Sequence, residues 1–136
     1  MGRKCVTVEP FYDSYIRFHK SVLLQNLQDK IILLTNGISD KRGEFKKLVF
    51  LPKNIGGQEL LDDSTDYSNL KSESYIKNDK YIVETILLDD IIEVLPSDFY
   101  DCIMKIDIEG YEYKAFKKAS KLFSKLNILA GNHVFQ

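Results

Sequence analysis

The sequence predicts an α/β domain built on a mostly parallel sheet, and three observations support this. Short runs of strand character, Cys5–Val8, residues 31–35, Phe45–Leu51 and residues 102–108, alternate with stretches whose apolar residues recur at three- and four-residue steps. The Ile31–Leu34 run is apolar throughout rather than at every second position, the pattern of a parallel strand covered by helices on both faces. Acidic residues stand where several of these runs end, and open α/β sheets bind ligands beyond the carboxyl ends of their strands.

Composition narrows the function classes. The 136 residues suffice for one domain with its own core but not for a catalytic unit plus a separate binding domain. Nineteen basic and twenty acidic residues leave a formal net charge of -1, so no chain-wide field recruits nucleic acid or an anionic membrane surface. No apolar run approaches the length of a membrane span, and no targeting segment is visible, which makes the cytoplasm the default expectation. Cys5 and Cys102 lie in apolar runs without a Cys or His partner at metal-ligand spacing and are expected to be buried free thiols.

Taken in order, Cys5–Val8 reads as a strand that Glu9 and Pro10 end. Tyr12, Tyr15, Ile16, His19, Val22, Leu23 and Leu27 then mark an amphipathic helix capped by Asp13 or Ser14, with His19 a core or boundary residue of no assigned role. Residues 31–35 form the next strand, residues 36–43 turn the chain, and Phe45–Leu51 is a strand ended by Pro52. Residues 53–80 are polar, Asp/Ser-rich and start near Gly56 and Gly57, so they are expected to lie over the surface as a mobile loop or lid. Residues 81–86 return to a strand, followed by a short helix through Ile91, Ile92 and Leu95 with Asp89 as its cap and Pro96 as its end. After the strand 102–108, Glu109 and Gly110 lead into a helix presenting Tyr113, Phe116, Ser120 and Phe123 on one side, and residues 126–130 form a last strand.

The chemistry concentrates at residues 105–112. Side chains alternate along a strand, so Lys105, Asp107 and Glu109 share one face and Cys102, Met104, Ile106 and Ile108 the other. Burying three charges in a covered sheet would cost several kcal/mol each, so the charged end is expected to open onto a cleft. The bland alternative is a Lys105–Asp107 ion pair with Glu109 as a carboxylate at a helix start. Glu9 ends a second strand, where an acidic side chain can accept both hydroxyls of a ribose; it can equally be a favourable charge at a helix N-terminus. Ser39 and Asp40 form a third polar strand end, for which an Asx-type turn is the ordinary explanation.

The run 101–112, Asp-Cys-Ile-Met-Lys-Ile-Asp-Ile-Glu-Gly-Tyr-Glu, preceded by Glu-Thr-Ile-Leu-Leu-Asp-Asp at 84–90, resembles the signature of the FkbM family of S-adenosylmethionine-dependent methyltransferases. Val-Thr-Val-Glu-Pro at 6–10 and Ile-Ser-Asp at 38–40 with Gly43 match the family's earlier blocks in order, so the resemblance covers most of the chain. It implies a Rossmann-like sheet and methyl transfer, commonly to a hydroxyl of a sugar or other small molecule. On the matching positions, Glu9 would hold the ribose of S-adenosyl-L-methionine and Ser39 and Asp40 would lie beside its adenine. Asp107 and Glu109 would face methyl donor and acceptor, with Lys105 beside them.

The family's first strand and its Asp-x-Gly-rich turn have no counterpart ahead of Val6, and the tail 131–136 stops before the family's last strands. The expectation is therefore a partial methyltransferase domain over residues 1–136, lacking the strand that would lie between those ending in Glu9 and Asp107, binding cofactor weakly or not at all and associating through exposed sheet edges. A non-catalytic α/β interaction module is the alternative, and divalent-metal binding by Asp107 and Glu109 a third reading.

Overall fold

The computed structural model describes residues 3–51, 54–61 and 79–130. Its first unit is a parallel strand–helix–strand: β1 (Cys5–Val8), α1 (Tyr12–Leu24) and β2 (Ile31–Leu34), with Cys5 opposite Ile31 and Val8 opposite Leu34. Pro10 ends the strand, and the helix starts from an extended Phe11 that no side chain caps. Asp13 is not the expected cap but lies inside the first turn, where its carboxylate pairs with Lys80 at 2.7 Å. The helix buries Val22 and leaves Leu23 and Leu24 exposed, a narrower apolar stripe than the sequence suggests. The four residues of β2 are each only half-buried, so this strand is not covered on both faces as expected.

The second unit is a mixed sheet ordered β3-β6-β4-β5. The two-residue β3 (Gly37–Ile38) runs parallel to β6 (Ile82–Ile86), whereas β4 (Phe45–Leu51) is antiparallel to both β6 and β5 (Asn54–Leu60). The strand β5 corrects the expectation of a loop from residue 53 onward. Its sequence offers little apolar periodicity, but main-chain pairing with β4 and burial of Leu60 hold it in the sheet. Residues 62–78, the rest of the expected lid, lie outside the described residues.

The third unit pairs β7 (Asp101–Met104) in parallel with β8 (Asn127–Ala130). The strand β7 is shorter than the expected 102–108, yet the alternation continues past it: Lys105 and Asp107 are exposed, while Ile106 is buried and Met104 half-buried. The expected single helix after Gly110 is two, α2 (Glu112–Phe116) and α3 (Ser120–Lys125). Their inward side is Ala115, Ala119 and Leu122, with Tyr111 and Leu126 flanking, whereas Tyr113 and Phe123 are exposed. The break has a cause: the 3-10 helix Leu88–Glu93 inserts Asp89 there, its N–H donating to the Lys118 carbonyl at 3.2 Å and its carboxylate accepting the Leu122 N–H at 2.8 Å.

The described residues thus form an α/β arrangement in which three of the five strand pairings are parallel, divided among three sheets. The hairpin β4–β5 makes the largest sheet mixed, and among the described residues β1 pairs with β2 alone and β7 with β8 alone. Two apolar clusters hold the units together, one around Leu88, Ile106, Ala115 and Leu122, the other around Phe11, Leu48, Leu60, Val83 and Tyr111. Ile108 packs against both, so the segment following β7 is fixed at their junction.

Candidate active-site cleft

That junction opens into a cleft of about 210 Å³. Its apolar lining is Val8, Pro10, Ile38, Leu48, Leu60 and Ile108, and its polar side chains are Glu9, Asn36, Gln58, Asp107 and Glu109. Gly37 forms part of the wall because the second sheet packs closely there; a Cβ added to it would meet the Leu60 methyls at 3.2 Å.

Glu9 follows β1, and Asp107 and Glu109 follow β7, so carboxylates distant in sequence open into one space. Glu9 Oε1 accepts the Phe11 N–H at 2.9 Å, so the helix-start function is realised at one oxygen of a residue that also lines the cleft. Asp107 pairs with Lys105 at 3.5 Å, and with side chains 63% and 71% exposed this pair is worth little to stability. Lys105 itself does not line the cleft. Glu109 reaches it from a tight turn in which Glu109 (φ 53°) and Gly110 (φ 92°) are both left-handed, closed by the Tyr111 N–H on the Ile108 carbonyl at 3.3 Å. Glu112 Oε1 braces the turn by accepting the Ile108 N–H at 3.0 Å.

Ser39 and Asp40 are not among the lining residues, although Ile38 immediately before them is. Ser39 is fully buried, its N–H bonded to the Ile86 carbonyl at 2.9 Å, and Asp40 lies 3.9 Å from Lys117 Nζ. The loop beyond them is pinned by the buried Thr85 hydroxyl, which donates to the Lys41 carbonyl at 2.8 Å, and by the ion pair of Arg42 with Asp90. That pair raises the Arg42 pKa, first through the hydrogen bond and then through the carboxylate's charge.

Asn36 and Gln58 are cleft residues that the sequence reading passed over. The available signal was the Gly56-Gly57 pair just before Gln58, since glycine within a strand marks a bulge or a close approach. Among the described residues, no group of three or more His, Cys, Asp or Glu side chains is placed to hold a metal ion. The thiols are corrected as well: Cys5 is exposed and only Cys102 is partly buried. Burial, with the charge of Asp101 adding to it, pushes the Cys102 pKa up.

The chain is α/β, with acidic side chains gathered where β1 and β7 end, and in open α/β sheets ligands bind beyond the carboxyl ends of strands. The particular family follows from comparison: residues 1–133 match the methyltransferase FkbM domain, and the chain belongs to that family. Comparisons with curated proteins and with solved structures give no match. No helix among the described residues is long and apolar enough to cross a membrane.

Proposed function

We propose that the cleft carries S-adenosylmethionine-dependent methyl transfer to a hydroxyl of a sugar or other small molecule. The observation behind this is that Glu9, Asp107 and Glu109 open into one cleft in a chain of the methyltransferase FkbM family. The donor set suits the cofactor, because carboxylates accept hydrogen bonds from ribose hydroxyls and attract a sulfonium. When bound, S-adenosylmethionine supplies an electrophilic methyl group.

Glu9 keeps one oxygen on the Phe11 amide and offers the other to the ribose. The adenine side is assigned to Ile38, the cleft residue directly before Ser39 and Asp40, neither of which lines the cleft. Asp107 or Glu109 takes the proton of the acceptor hydroxyl as its oxygen gains the methyl group, with Lys105 Nζ 3.5 Å from the Asp107 carboxylate. Attraction between a carboxylate and the donor's positive charge favours binding, but that charge is lost during transfer. Acceleration must therefore come from alignment and proton removal.

The test is Asp107→Asn, which removes charge at nearly constant volume. Because Asp107 is mostly exposed, the variant should keep the melting midpoint while transfer of a labelled methyl group falls by about 10²- to 10⁴-fold. Full activity in the variant would remove Asp107 from the mechanism, and no calorimetric binding of S-adenosylmethionine to the unaltered chain would overturn the reading. The second reading, a non-catalytic interaction module, draws on β1 and β7 having one strand partner each among the described residues.

A further inference from the structure

Of the five polar side chains that the described residues place on the cleft, four are engaged within the chain. Glu9 accepts from the Phe11 N–H, Asp107 pairs with Lys105, Asn36 Nδ2 donates to the Glu84 carbonyl at 3.2 Å, and Glu109 has a partner as well. Gln58, half-buried on β5, makes no side-chain hydrogen bond among the described residues. Its position is not that of an ordinary strand residue. Gln58 pairs with Phe50, but the next residue of β4, Leu51, pairs with Asn54, so residues 55–57 have no counterpart and bulge from the ladder beside the cleft. Bulges re-aim adjacent side chains and recur next to binding sites, and Gly57, buried in the cleft wall, lets the backbone approach.

A partly desolvated carboxamide without a partner costs free energy until solvent or ligand satisfies it. A carboxamide both donates and accepts, as a hydroxyl does, whereas a phosphate or carboxylate only accepts. The rest of the lining agrees: after its bond to Glu84, Asn36 keeps Oδ1 as an acceptor and one amide N–H as a donor, and among the described residues no lysine or arginine lines the cleft to neutralise an anion.

We propose that Gln58 is a specificity-determining residue that hydrogen-bonds a hydroxyl of the acceptor, and that the acceptor is a neutral polyhydroxyl compound rather than a phosphorylated or uronic one. This rests on the methyl-transfer reading above and specifies its substrate class.

The experiment titrates the full chain with the neutral methyl glycosides of glucose, galactose and mannose, and with glucose 6-phosphate and glucuronate, by ligand-observed NMR. A neutral glycoside should bind at least several-fold more tightly than the anionic sugars. Gln58→Ala should weaken that binding about three- to tenfold, the loss of one neutral hydrogen bond, with an unchanged melting midpoint. Gln58→Asn should restore part of it. Equal or tighter binding of the anionic sugars, an unchanged affinity in Gln58→Ala, or no glycoside binding at all would each overturn the proposal. Calorimetry with S-adenosylmethionine in the same buffer separates the two levels. Donor binding alongside a failed glycoside result sinks only this assignment, whereas absence of donor binding sinks the methyl-transfer reading beneath it.

Discussion

At the scale of single residues, the turn Ile108 to Tyr111 shows how backbone conformation serves the cleft. Gly110 sits at φ 92° with nothing within 4 Å of where a Cβ would stand, so a substitution there meets only the backbone penalty of the left-handed region. Gly110→Ala should cost about 1–2 kcal/mol in denaturant unfolding, and a neutral result would show that the turn relaxes freely. Glu109 bears a smaller version of the same strain at φ 53°. Replacing it with glycine should leave stability unchanged or slightly raised while removing a cleft carboxylate, so a thermal melt and a transfer assay are expected to move independently. The two thiols differ in a way alkylation can read. Cys5 is exposed, whereas Cys102 is partly buried with its pKa pushed up, so less of it is thiolate at neutral pH. Iodoacetamide should modify Cys5 first, with the Cys102 rate rising as pH climbs above the ordinary thiol range; comparable rates at pH 7 would contradict the placement of β7.

At the scale of elements, Asp89 joins pieces that the sequence presents as separate. Its carboxylate accepts the Leu122 N–H in the first turn of α3, and its own N–H reaches the Lys118 carbonyl in the gap after α2. Asp89→Ala should cost about 1–2 kcal/mol, while Asp89→Asn, which keeps an acceptor oxygen, should recover most of it; equal losses would assign the effect to charge instead. The same residue shows what a sequence can disclose. Asp89 was legible as a capping residue, but its partner lies some thirty positions away. A local pattern could only assign it to the nearest helix. The strands β1, β2, β4 and β6 were legible because their apolar runs and Pro10 and Pro52 are local signals. So was the inward side of residues 102–106, since alternation follows from the pleat itself. The strand β5 was not, because its place depends on pairing with β4 rather than on its own composition. Glu9, Asp107 and Glu109 could be picked out from their positions at strand ends and from the family motif. Gln58 could not, since the bulge that brings it to the cleft is a property of the hairpin.

At the scale of the whole molecule, what remains open matters as much as what is packed. Among the described residues β1 and β7 have one strand partner each, so each presents an edge of unpaired main-chain groups. The sheet β7–β8 is also one-sided. Cys102, Met104 and Ile128 pack toward the core, while the cross-strand pair Ile103 and Leu129 is 75% and 73% exposed on the other face. An apolar cross-strand pair beside an open edge invites a further strand or a second chain, and a formal net charge of -1 supplies almost no repulsion against it. The chain should therefore associate as its concentration rises, with the weight-average mass in sedimentation equilibrium climbing above 15.8 kDa. Lysines on that face should oppose this by charge without disturbing the core, because neither side chain packs against it. The double variant Ile103→Lys, Leu129→Lys is expected to keep the melting midpoint within about 0.5 kcal/mol of equivalent stability and to hold the monomer mass across the same concentrations. If the unaltered chain stays monomeric throughout, the exposed face and edges are not association surfaces. If it associates but the lysine variant does so equally, the contact lies elsewhere, and the open edge of β1 becomes the next place to put a charge.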